Sequence, residues 1–202
     1  MNLLDGCTPE TLAARGLYWE HLLKWTPLPH SGLRAVVPPM TDYFRDPAGE
    51  KIQDNGPYLW RRATGDFVAR LHVRPTFTGM YDAGGILVRQ DEDRWAKLCF
   101  ESTNFGTTAA ISVVTRGLSD DANGVDLAAA DLWLQICRAG DALGMQYALD
   151  GKSWRKVRRF HLPLSPTVRV GMLAQSPGTT GTTVDFLSFS VESRTVDTRT
   201  GA

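Results

Sequence analysis

The chain has 202 residues, 43% of them hydrophobic and 22% charged, with 22 Lys and Arg against 22 Asp and Glu and a formal net charge of zero. That length suits a single all-β domain able to bury its own core, and the composition is that of an ordinary globular protein. The balanced charge argues against nucleic-acid and membrane partners, because both require a positive field to gather polyanions.

Thr8-Pro9-Glu10 opens a short helical pattern, with Thr8 as cap, Pro9 at the first helical position and Gly16 as the stop. Prolines at 27, 29, 38 and 39 then punctuate a lead-in that holds one short strand, Leu33–Val37. Residues 1–24 read as an N-terminal extension and 25–193 as the folded domain. From Tyr58 onward strand follows strand: 58–62, 66–73, 85–90, 95–102, 109–116, 131–139, 144–150, 157–162, 168–175 and 183–191. Turn signals separate them, among them Thr64-Gly65, Gly140-Asp141, Asp150-Gly151 and Ser176-Pro177-Gly178. Short strands so spaced predict an all-β sandwich of antiparallel strands, with no parallel βαβ sheet. Residues 117–130, "GLSDDANGVDLAAA", read as a long loop, and the tail after Ser193 as frayed. Arg155, Lys156, Arg158 and Arg159 form a basic run, read first as an exposed strand and turn.

Cys7, Cys99 and Cys137 are odd in number and lack CxxC spacing, which speaks against a disulfide framework or a zinc site. Cys99 and Cys137 lie in apolar runs and read as buried free thiols in a reducing compartment, the cytoplasm. The N-terminus lacks the basic and apolar regions of a signal peptide, and no apolar run approaches the roughly eighteen residues of a membrane span. No cofactor motif is present.

The most informative stretch is "YDAGGILVRQDEDRWAKLCFE", residues 81–101. Side chains at i and i+2 share a strand face. Trp95, Lys97, Cys99 and Glu101 therefore point one way, and Ala96, Leu98 and Phe100 point toward a core. A hairpin around Asp91–Arg94 adds Arg89 and Leu87 to the first face, and Ser112, Val114 and Arg116 are expected to extend it. A concave face carrying Arg89, Trp95, Lys97 and Glu101 suits a saccharide or other small polar metabolite, with Asp42, Trp60, Tyr81 and Arg158 as candidate rim residues. The alternative is cross-strand pairing on a solvated face, at about 0.2–1 kcal/mol per pair and with no ligand.

The segments "TDYF" (41–44), "DNGPYLW" (54–60), "GDF" (65–67), the 81–101 block, "SVVTRGLSD" (112–120), "DGKSW" (150–154) and "VGMLAQSP" (170–177) follow the order of the DUF1349, regulation-of-enolase-like family. The resemblance covers about residues 25–190. It implies a concanavalin A-like lectin/glucanase jelly roll of two antiparallel sheets, one of them concave, and no particular reaction. The chain departs from the pattern at Phe44, where the family usually has Trp, and at Pro57, where His is common, so a role resting on that His does not transfer.

Three function classes follow. The first is a non-catalytic binding module. The second is a glycoside hydrolase, which needs two carboxylates about 5–5.5 Å or about 6.5–9.5 Å apart. The chain has no E-x-D-x-x-E run; Glu101 is the strand carboxylate best placed, and Asp185 has no evident partner. The third is a protein-interaction module acting on a metabolic enzyme, as the resemblance implies. The four histidines (21, 30, 72, 161) are scattered, with His72 read as structural. There is no G-x-S-x-G elbow, and Asp91 and Asp93 in a turn are a weak calcium signal.

Overall fold

The structure is a computed structural model, and it describes residues 1–21 and 24–202. One helix, α1 (Pro9–Ala14), carries the expected Thr8 cap, completed by Thr11 as a reciprocal capping box. The strands are β1 (Tyr18–Glu20), β2 (Lys24–Pro27), β3 (Leu33–Val37), β4 (Tyr43–Arg45), β5 (Ile52–Asp54), β6 (Tyr58–Thr64), β7 (Phe67–Thr76) and β8 (Ala83–Arg89). They continue as β9 (Arg94–Ser102), β10 (Thr108–Arg116), β11 (Leu118–Asp126), β12 (Leu132–Ala139), β13 (Ala142–Ala148), β14 (Arg155–His161), β15 (Thr167–Gln175) and β16 (Thr182–Glu192).

Two antiparallel sheets form a jelly-roll sandwich. The first runs β1-β6-β15-β8-β9-β10-β11 and the second β14-β13-β12-β7-β16-β3-β2. Alternation decides what lies between them. Ile86, Val88, Ala96, Leu98, Phe100, Val170 and Met172 of the first sheet meet Leu71, Val73, Leu134, Ile136, Met145 and Phe186 of the second in one buried core. The sheets approach so closely at Gly84 that a Cβ there would lie 2.6 Å from Val184 Cγ1 and 2.7 Å from Val73 Cγ2.

The N-terminal residues are part of this body. Leu3, Leu4, Cys7, Leu12 and Leu17 join the main core, and β1 and β2 each extend a sheet edge. The tail is docked rather than frayed. Val196 packs on Val68 and Cys137, and Gly201 and Thr198 carbonyls accept from the buried amides of Gln135 (2.9 Å) and Gln146 (3.2 Å). Residues 118–126, expected in a loop, form edge strand β11 paired with β10. Its single partner and mostly wet faces leave no hydrophobic alternation to read.

The basic run lies on β14, an edge strand, where Arg158 pairs with Asp120 and Arg159 with Thr198. His72 stacks on Trp133 with ring centroids 4.2 Å apart and bonds Asp131 at 2.8 Å, a structural histidine. All three cysteines are buried free thiols. Among the described residues no helix is long and apolar enough to cross a membrane.

Candidate functional site

The outer face of the first sheet carries the site. The register places Arg89 opposite Trp95, Leu87 opposite Lys97 and Gly85 opposite Cys99, so the 81–101 block does present one shared face. Across β10 the partners of Trp95, Lys97, Cys99 and Glu101 are Thr115, Val113, Ile111 and Ala109. Ser112, Val114 and Arg116 thus point the other way, one residue out of step with the expectation; Val114 lies in the main core. Both faces of β10 are buried along most of its length, so its composition does not distinguish them.

The segment 41–56, including the β4–β5 hairpin, lies over part of this face. Tyr43 packs edge-on against Trp95 and Tyr58, at 6.3 and 6.2 Å between centroids, and these rings join Leu87, Cys99, Ile111, Val113 and Leu173 in a second core. Burial drives the phenols of Tyr43 and Tyr58 well above their ordinary range. Beside the hairpin the face stays open as a cleft of about 400 Å³. Its floor is Lys97, Glu101 and Gln175. Asp42, Phe44, Tyr81, Asn123 and Asp121 are among the residues of its walls.

The floor is a relay of polar contacts. Lys97 Nζ donates to Asp42 Oδ1 (2.9 Å) and to Gln175 Oε1 (2.7 Å). The Gln175 amide is thereby oriented, and its Nε2 donates to the Tyr81 carbonyl (3.1 Å) and to Glu101 Oε2 (3.3 Å). Burial is the largest influence on Lys97 and works to lower its pKa, but the charge and hydrogen bond of Asp42 together with the neighbouring Cys99 and Glu101 outweigh it and hold the ammonium above its usual value. Burial pushes the Glu101 carboxyl up to about 8; attraction from Lys97 opposes this, and Asp42 and Asp121 add to it. Tyr81, on the rim, holds a left-handed backbone (φ 66°), an unusual conformation for a bulky residue, and leaves its side chain half open to solvent.

Of the eight residues singled out in the sequence, Asp42, Tyr81, Lys97 and Glu101 meet in this cleft. The other four are elsewhere. Trp95 shares the face but is sealed under Tyr43, its Nε1 donating to the Glu92 carbonyl, so it offers no stacking floor. Arg89 is buried against Glu20, with its guanidinium over the Tyr43 ring. Trp60 lies across the sheet, beneath the guanidinium of Arg169, in a separate open depression with Arg62 and Gln90. Arg158 belongs to the second sheet. Asp91 accepts the Asp93 amide within the hairpin turn, and among the described residues no group of three or more His, Cys, Asp or Glu could hold a metal ion.

A family model described as a protein of unknown function, DUF1349, matches residues 23–194. The chain belongs to the DUF1349 family. Regulation of enolase protein 1 of Saccharomyces cerevisiae is 32% identical to this DUF1349 chain over 152 residues, 75% of the chain and 76% of the relative. A solved structure of a functionally unknown protein from Saccharomyces cerevisiae superposes with a TM-score of 0.82 at 28% identity, covering 90% of this chain and 98% of that one. The carbohydrate-binding module CBM66 from Bacillus subtilis superposes with a TM-score of 0.58 at 12% identity, over 88% of this chain and 96% of that one. The GH43 protein BlXynB from Bacillus licheniformis gives 0.62 at 16%, over 87% of this chain but only 38% of that one. These last two share the fold.

The departure of this DUF1349 chain at Phe44 falls inside the cleft, where that ring forms part of the wall. Sequence reading missed Gln175, the residue that joins Lys97 to Glu101. Its signal was present in "VGMLAQSP", where it ends a strand next to a turn. It also missed Asp46, Lys51 and Gln53, which reach the cleft from the β4–β5 hairpin.

Proposed function

We propose that this DUF1349 chain is a binding module whose cleft takes a small polar ligand of the carbohydrate type. The observation that carries the reading is the cleft floor, where a buried ammonium, an amide and a buried carboxyl are held in one relay beside open volume. Preset polar groups set among apolar walls are how small-molecule sites fix orientation. Phe44 and Tyr81 supply apolar surface for the C–H faces of a sugar ring, and Asn104, Asn123 and Gln53 supply paired donors and acceptors for hydroxyls. The fold shared with a carbohydrate-binding module supports the same reading.

A thermal-shift screen over neutral sugars and sugar acids tests it. A ligand of the native state raises the midpoint with concentration by mass action, and Tyr81→Gly should reduce the rise. Silence across the panel would count against the cleft as a sugar site.

A second reading rests on the loops around the mouth. Met40, Met80 and Phe105 are exposed and lie within two residues in sequence of Asp42, Tyr81 and Asn104, which line the cleft. Exposed apolar side chains on the segments that line a cleft suit a protein partner. The name of the yeast relative makes enolase the first partner to try, by pull-down with Phe105→Ser as the control.

A further inference from the structure

Glu101 poses a specific chemical problem. It is 7% exposed, yet among the described residues no cation lies within ion-pair distance of it. Lys97, on the same strand face, is engaged by Asp42 and Gln175 instead. Oε2 receives one long amide bond from Gln175, and Oε1 receives no hydrogen bond from a described residue. A carboxylate so largely buried, with one long bond from the protein and its other oxygen open only to the cleft, is costly as an anion. As an acid it carries a proton that needs an acceptor, and Glu101 lines the cleft.

We propose that Glu101 serves the cleft as a neutral carboxylic acid, donating a hydrogen bond to an acceptor oxygen of an uncharged, hydroxyl-bearing ligand. This deepens the sugar-binding reading and rests on it. The surrounding charges act in both directions, Lys97 against the acid form and Asp42 and Asp121 for it. The groups facing Glu101 are Lys97 and Cys99 on β9, Asp42 ahead of β4, and Asp121 on β11. Asp46 and Lys51 of the hairpin and Tyr81 of the rim complete the lining. The lining sets Asp42, Asp46 and Asp121 against Lys97 and Lys51, so by charge count the cleft keeps an excess of negative charge even with Glu101 neutral. A sugar acid would meet repulsion there that a neutral sugar avoids. Burial of the Glu101 carboxyl, the largest influence, holds the proton; the charge of Lys97 opposes it, and those of Asp42 and Asp121 add to it.

Two measurements on the full chain test the proposal. The first needs no ligand. Carboxyl-carbon NMR titration, with Glu101 assigned by its loss in Glu101→Gln, should give a midpoint near 8 for Glu101; a midpoint in the ordinary range of about 4.3 overturns the proposal. The second is calorimetric titration with xylobiose and with glucuronic acid. If only the acid form binds, wild-type affinity for xylobiose should fall about ten-fold between about pH 7 and about pH 9. In Glu101→Gln, whose amide donates at any pH, that fall should vanish. Equal wild-type affinity at both pH values, or tighter binding of glucuronic acid, overturns it. No binding of either sugar removes the sugar reading, while the NMR midpoint still decides the state of Glu101.

Discussion

Lys97 and Asp42, 55 residues apart in the chain, meet through a 2.9 Å bond between Nζ and Oδ1 inside the protein, with Lys97 2% exposed. This pair ties the segment entering the β4–β5 hairpin to the middle of β9, and so fixes both the second core and the cleft wall. Removing one partner leaves a buried charge alone. Asp42→Asn should therefore cost about 3–5 kcal/mol in urea denaturation. Adding Lys97→Met should return a large part of that loss. Additive losses in the double variant would mean that the two residues act separately.

Trp95 and Tyr81 should behave in opposite ways. Trp95→Ala empties the space beneath Tyr43 and should cost about 3–5 kcal/mol of stability. Tyr81 is half exposed and strained at φ 66°, a conformation that Gly adopts freely. Tyr81→Gly should leave the denaturation midpoint unchanged or higher and weaken sugar binding. Strain held at a rim residue is expected where the side chain serves a ligand rather than the fold.

Glu101 makes stability depend on pH. Its folded pKa is raised to about 8. Between the unfolded value of about 4.3 and that point the native state holds more protons than the unfolded chain. The contribution is fully present below the unfolded value and is lost as pH rises through about 8. Denaturation midpoints should fall over this window in the wild type and fall less in Glu101→Gln. Parallel profiles would show that Glu101 titrates normally.

The C-terminal segment should be required for full stability. Ending the chain at Ser193 removes one of the two acceptors of Gln135 Nε2, which keeps Gln146 Oε1, takes the Thr198 carbonyl from Gln146 Nε2, and uncovers Val68. A buried amide that loses its oxygen acceptor, here Gln146 Nε2, costs about 1–3 kcal/mol. Thermal melts of the shortened chain should show a clearly lower midpoint; an unchanged midpoint would mean that the docked tail adds nothing.

The sandwich is legible in the sequence because its central strands alternate, and because Gly and Asp mark the turns; Gly151 indeed takes φ 69°. The face shared by Lys97 and Glu101 is legible from the i, i+2 rule alone. What covers that face is not. β1, β4 and β5 are three residues each, too short for any periodicity to show. Yet they bring Glu20 onto Arg89 and Tyr43 onto Trp95, converting two apparent ligand groups into structural ones. The slip at β10 has another cause. Apolar side chains occupy both of its faces, so only its pairing with β9 says which residues look outward.

The most direct test of the cleft is a crystal structure of the chain grown with xylobiose. The sugar should lie against Lys97, Gln175 and Glu101, with a hydroxyl or ring oxygen within hydrogen-bond reach of the Glu101 carboxyl. Density for the sugar at the Trp60–Arg169 depression, with the cleft holding only solvent, would contradict the account.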